Sequence, residues 1–131
     1  MSAHGQPLRL FSLWWLIGLA MWAYILYATL TPHPMDMPGR YSDKVLHFSG
    51  YFVVTAWFAQ LYQSGAARQR QLVIFALLAV ALEFAQLLVN TRSFEWADML
   101  ANSAGVLVAG LLIRGRLEKI LLAGERLILR R

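Results

Sequence analysis

The chain contains no cysteine, which excludes disulfides and thiolate metal sites. Any metal would have to be held by histidine and carboxylate. Charge is almost as scarce: 15% of the 131 residues are charged against 59% hydrophobic, where a soluble domain carries about one quarter. That balance excludes an ordinary soluble globular protein and points to one membrane domain. Acids are the scarcer sign, with 7 Asp and Glu against 12 Lys and Arg and a formal net charge of +5. In a chain this apolar, excess base marks cytoplasmic loops and contact with anionic lipid, so no nucleic-acid partner is expected. Recognisable nucleophile motifs are also missing, although Ser42, Ser49 and Ser103 lie near the polar residues described below.

What the sequence does have is apolar runs of membrane length. Residues 10–30 pass about twenty positions without a charge, enough to cross a hydrocarbon core of about 30 Å at 1.5 Å per residue. This run is too long for a signal-peptide core, and "YATLTPHP" lacks small residues at both positions of a cleavage site, so an uncleaved first helix is expected. Further spans are expected at residues 45–62, 72–89 and 94–113, separated by "TPHPMDMPGRYS", "QSGAARQRQ" and "NTRS". The expected fold is therefore all-α: a four-helix transmembrane bundle over residues 1–113, followed by a basic tail, 114–131. In that tail, "RGRLEKILLAGERLILRR", Leu117, Ile120, Leu121 and Ile128 share a helical face flanked by bases. This predicts an amphipathic helix on the inner leaflet, with a soluble extension of the fourth helix as the alternative.

The bases also predict an orientation. Arg9, Arg68 and Arg70 and the six bases after residue 113 would lie on one side, and only Arg40, Lys44 and Arg92 on the other. The positive-inside rule then puts both termini and the middle loop in the cytoplasm. Trp14, Trp15 and Tyr62 would mark the inner interface, and Tyr27, Tyr41 and Trp96 the outer one.

Three polar stripes interrupt the apolar helices. Asp43, His47 and Tyr51 recur every four residues with Lys44 beside them. Glu83, Gln86 and Asn90 share a face of the third helix. Asp98 and Asn102 lead into Gly105 and Ala109 on the fourth. The small residues predict a close helix approach beneath the polar pair. All three stripes fall in the outer half of the expected bundle, with Glu83 about 10 Å below its outer end. A carboxylate at that depth costs about 3 kcal/mol on insertion scales unless it is paired, protonated or hydrated.

The pattern D-K-x-x-H-x-x-x-Y, then E-x-x-Q, then R-x-x-x-x-x-D-x-x-x-N-x-x-G resembles the VanZ-like family of small bacterial membrane proteins. It is met at Asp43, Lys44, His47, Tyr51, Glu83, Gln86, Arg92, Asp98, Asn102 and Gly105. The resemblance covers residues 42–110. It implies an integral protein of the bacterial cytoplasmic membrane and, through the founding member, a link to teicoplanin resistance and the cell envelope. It implies no settled reaction.

Three functions fit these residues. The first is a site that binds or handles an anionic, lipid-linked envelope component, with Lys44 and Arg92 on phosphate or carboxylate and Glu83, Asp98, Asn102 and Gln86 on hydroxyl or amide groups. The second is a membrane hydrolase or transferase acting on lipid-linked phosphate, with His47, Glu83 and Asp98 as catalytic candidates. The third is a structural plug of polar groups that fixes helix register. A transporter fits less well, since the inner half offers no ionisable group to complete a path. The His and carboxylate set could also hold a divalent cation, but its spacing matches no recognisable metal motif, so no metal ligand is assigned and no cofactor is expected. The sequence leaves the oligomeric state open.

Overall fold

The computed structural model describes residues 8–36, 38–39, 41–62, 65–113 and 119–130. Arg40, Arg114, Arg116, Leu117 and Arg131 of the expectations above lie outside these. The described residues are all-α, with helices α1 (Phe11–Leu30), α2 (Ser42–Leu61), α3 (Gly65–Ala85), α4 (Trp96–Leu112) and α5 (Ile120–Leu129). A single 3-10 turn, Gln86–Leu88, closes α3.

α1 is apolar all round, and only Gly18, Trp22 and Thr29 are buried. Their spacings of four and seven residues define one narrow stripe facing the bundle. Leu16, Tyr24 and Tyr27 point outward. The helix stops at Thr31, whose N–H is bonded to the Tyr27 carbonyl at 2.9 Å, before Pro32, which has no N–H to continue the ladder.

α2 begins at Ser42, three residues ahead of the expected span, so Asp43 sits in its first turn, where the helix dipole favours a carboxylate. α3 differs more. It starts at Gly65, seven residues before the expected limit, and its α-helical part ends at Ala85. The reason is composition: Ala, Arg and Gln are strong helix formers even where they are too polar for a hydrocarbon span, so "AARQRQ" is helix and not loop. Gln71 there is buried and donates to the Thr55 carbonyl at 3.2 Å.

Two helical stretches, Phe11–Leu30 and Gly65–Leu88, are long and apolar enough to cross a membrane, against the four spans expected. α4 is a shorter apolar helix of 17 residues, and α2 is diluted by Ser42, Asp43, Lys44 and His47. α2 is also the central helix, packed against α1, α3 and most closely α4. Its polar turns therefore face protein.

α2 and α4 run parallel and nearly touch at Gly105. A Cβ there would collide with the Phe48 carbonyl oxygen and press on Phe52 N and Tyr51 Cβ, so only glycine permits this approach. Midway along the bundle, Trp22 of α1 meets Tyr51 of α2 and Phe75 of α3 edge to face, with ring centroids 5.8 and 4.8 Å apart. Phe58 meets Phe75 at 5.3 Å. Each such pair adds about 0.5–1.5 kcal/mol beyond the area it buries.

The expected aromatic belts behave differently at the two ends. Tyr27, Tyr41 and Trp96 are exposed. Trp14, Trp15 and Tyr62 pack within the protein: Trp15 Nε1 donates to Tyr62 Oη at 3.2 Å, and Trp14 meets Trp57 edge to face.

α5 docks at this second end through a face that the apolar pattern of the tail does not mark. Leu121 and Glu125, one turn apart, are buried, whereas Ile120 and Ile128 are more than half exposed. Polar bonds decide the docking. Glu125 is 2% exposed and accepts the N–H groups of Arg9 at 2.6 Å and Leu10 at 2.8 Å and the Trp14 indole N–H at 2.9 Å. It thus satisfies free donors at the start of α1. Leu121 N–H donates to Gln60 Oε1 at 2.8 Å. Burial works against ionisation of Glu125, but the three N–H donors prevail and hold its carboxyl below the usual glutamate range.

Candidate functional site

The N-terminal turns of α2 and α4 and the C-terminal turns of α1 and α3 meet at the end opposite α5. Helical spacing places Asp43, Lys44 and His47 on the α2 turn that faces α4. The Lys44 ammonium is held by three carboxylates: Asp43 Oδ2 at 2.6 Å, Glu95 Oε2 at 2.6 Å and Asp98 Oδ1. Lys44, expected on an anionic ligand, is ion-paired within the protein here.

His47 lies one turn deeper. Its Nδ1 is 2.8 Å from Asn102 Oδ1. An amide oxygen only accepts, so Nδ1–H donates to it and Nε2 is the nitrogen turned to other partners. That Nε2 is 3.6 Å from Asp98 Oδ2. Asn102 is buried one turn below Asp98 on α4, and it fixes the ring's orientation.

Glu83 stands behind this pair and is 0% exposed. Its Oε1 accepts the Glu95 N–H at 3.2 Å, while Oε2 has no hydrogen-bond partner. One ligand atom each of His47, Glu83 and Asp98 lies within 4.8 Å of those of the other two. The buried Tyr51 hydroxyl also lacks a partner, although its ring packs on Trp22.

Gln86 and Arg92 take different places. Gln86 is buried and donates to the Thr29 carbonyl at 3.2 Å, tying the end of α3 to the end of α1. Arg92 is half-buried on the wall of a cavity of about 970 Å³ that also reaches Asp43, His47, Tyr51, Gln86 and Asp98. From this polar end the cavity runs along α1, where Ile17, Met21, Tyr24 and Ile25 face Leu46 and Val53 of α2.

The sequence reading passed over Glu95. It pairs with Lys44 through its side chain and with Glu83 through its backbone. Its position three residues before Asp98, on the same face of the chain entering α4, was the available signal. The contribution of α1 was missed too, because a helix without charged residues shows no ionisable stripe.

The VanZ/LLP1 family model matches residues 6–120. The chain belongs to that family. The match extends beyond residues 42–110 to take in α1 and the connection to α5, both without a signature in the motif. An uncharacterized protein of Schizosaccharomyces pombe is 31% identical over 112 residues, covering 80% of this chain and 65% of its own length. The chain thus spans just under two thirds of that relative, and the likeness reaches a eukaryote. No solved structure matches.

Proposed function

We propose that this VanZ/LLP1 protein spans the membrane with all four helices α1–α4, both termini cytoplasmic, and binds an anionic lipid-linked component at the polar end of the bundle. In a bacterium that component belongs to the cell envelope, and the polar end faces outward. The observation that carries the reading is the shape and chemistry of the 970 Å³ cavity. Its head end offers Arg92, His47 and Asp98, and its length is an apolar gutter between α1 and α2. From Ile17 to Ala28 the gutter measures about 16 Å at 1.5 Å per residue. That accommodates a polar head and the first part of a tail, within the upper range of ligand pockets.

The membrane setting is supported by the exterior. Leu16, Leu77, Leu107 and Leu111 are all at least 60% exposed, on helices that in water would form a large apolar patch. α2 crosses as the central helix, shielded by the other three, so its charges need not meet lipid.

The structural-plug reading fits less well. A plug satisfies its own groups, whereas here the buried Glu83 Oε2 and Tyr51 hydroxyl have no partner. A hydrolase or transferase acting on lipid-linked phosphate is the second reading. It is favoured by His47, whose Nε2 lies 3.6 Å from Asp98 Oδ2 at the cavity wall, where a general base would stand.

Mass spectrometry of lipid that copurifies with the protein tests the ligand. A phosphate- or carboxylate-bearing lipid is expected in the wild type, at reduced occupancy in Arg92→Gln. Equal lipid in both removes the head-group assignment. Orientation is tested by labelling Ser93→Cys and Ala66→Cys from outside intact cells: the first is expected to react and the second not, and the opposite pattern inverts the topology.

A further inference from the structure

We propose that His47, Glu83 and Asp98 form a binding site for one divalent transition-metal cation of the Mn2+ or Zn2+ class, at the base of the polar cavity. Four independent features carry the assignment. One ligand atom from each residue already lies within 4.8 Å of the other two. Three ligand atoms on one ion with bonds of about 2.1 Å at tetrahedral angles stand about 3.4 Å apart, so closure draws the set in by up to about 1.4 Å. The donors are suitably placed: His47 Nε2 is the ring nitrogen not bonded to Asn102, and Glu83 Oε2 is fully buried without a partner.

The surroundings match what metal ligands require. A ligating histidine almost always donates its other N–H to an oxygen that fixes tautomer and ring, and Asn102 Oδ1 does that here. Glu83 is oriented by the Glu95 N–H, and Asp98 by Lys44. The second carboxylate group, Asp43, Glu95 and Asp98, already surrounds the Lys44 ammonium and has its cation.

Charge gives the fourth feature. Among the described residues around the site, the carboxyl groups of Asp43, Glu83, Glu95 and Asp98 outnumber the cations Lys44 and Arg92. One divalent ion offsets this excess of carboxylates over cations. A mixed imidazole and carboxylate set suits Mn2+ and Zn2+ better than Mg2+, which prefers oxygen and holds its water. The chain positions 47, 83 and 98 hid this set from any spacing motif.

The ion also deepens the proposed function and rests on it only in this step. A cavity with surplus negative charge repels an anionic head unless a cation lies between them. The ion supplies that bridge, with Arg92 on the opposite side.

The test uses the full chain in detergent, stripped with EDTA and titrated with Mn2+ alone under electron paramagnetic resonance. One Mn2+ per protein is expected, displaced by Zn2+, with nitrogen hyperfine coupling that disappears in His47→Gln. Glu83→Gln is expected to weaken binding at least tenfold, and Asn102→Ala, which disturbs only the ring's positioning, by about 10- to 100-fold. Absence of stoichiometric binding or of nitrogen coupling in the wild type overturns the site. So does loss in Glu95→Gln with retention in Glu83→Gln, which puts the ion in the outer group. Lipid is not used, so the two readings fail separately. Mn2+ bound at His47 in a protein that carries no lipid refutes the ligand, and lipid carried without any ion affinity refutes the metal site.

Discussion

Glu83→Gln in metal-free protein separates a binding site from a structural plug, because the geometry fixes what the change removes. The carboxylate is 0% exposed. At its depth ionisation costs about 3 kcal/mol on insertion scales, and the single bond from the Glu95 N–H at 3.2 Å returns about 1.5–3 kcal/mol as a bond to a charged group. The other oxygen gains nothing. Glutamine keeps the acceptor for Glu95, sheds the charge, and turns an amide donor toward the side where Asp98 lies. The expected effect on stability therefore ranges from no change to a gain of about 2 kcal/mol, or several degrees in Tm for a chain of this size. A melting curve in detergent after EDTA treatment measures it, alongside the yield of folded protein. A fall in Tm with loss of folded protein refutes the reasoning, since it shows Glu83 to be a satisfied member of a network whose partners are stranded when it is neutralised.

Gly105→Ala is expected to destabilise by at least the 1–3 kcal/mol typical of overpacking, because its new Cβ meets α2 backbone that cannot swing aside. Gly124→Ala, with open space around it, is expected to stabilise α5 by up to about 1 kcal/mol, and equal melting shifts for the two refute the close approach. Glu125→Ala leaves two backbone N–H groups and the Trp14 indole without their acceptor, at a cost of about 1–3 kcal/mol; protease cleavage within α5 is expected to accelerate, and unchanged protection removes the clasp. The Glu125 carboxyl is held below its ordinary value, so the clasp is complete above the unfolded glutamate pKa of about 4.3 and is lost as pH falls through the lower folded value. Protection of α5 is expected to fade in that acid range, and protection that persists through it contradicts the ionised clasp.

Much of the site was legible because helical periodicity alone fixes which residues share a face. Asp43, His47 and Tyr51 at intervals of four, and Asp98 with Asn102, needed only that rule. The small residues beneath Asn102 announced the contact that Gly105 makes with α2. What the periodicity could not give is which face meets which. Lys44 shares its side of α2 with His47, yet it is enclosed by Glu95 and Asp98 from 51 and 54 positions further along. The start of α3 was misplaced because a search for apolar length stops at Arg68 and Arg70, whereas helix formation there follows propensity. The Glu125 clasp was invisible for a different reason. Its partners lie 111–116 residues away, and nothing local in "LLAGERLIL" distinguishes a capping carboxylate from one in a surface ion pair.

The placement of α2 explains both the composition of the chain and the position of the site. A helix that opens with Ser42, Asp43, Lys44 and His47 is too polar to lie against lipid, so it must be covered, and α1, α3 and α4 cover it. The covering helices then divide by what they can offer. α3 and α4 present Glu83, Asp98 and Asn102 because the polar turn of α2 needs partners at that end only. α1 has no charged side chain between Phe11 and Leu30, and there it meets the pocket with Tyr24, Tyr27, Thr29 and a gutter of apolar residues. α1 is therefore the one wall that is apolar on both faces, toward the pocket and toward the outside. A ligand with a charged head and a long tail can rest its tail along such a wall while the head remains with His47 and Arg92, whereas a wall with charges on its inner face would force the tail out. The uniform hydrophobicity of α1, which in the sequence looks like an absence of information, is what would give an amphiphile access to the polar end of this bundle under the proposed function.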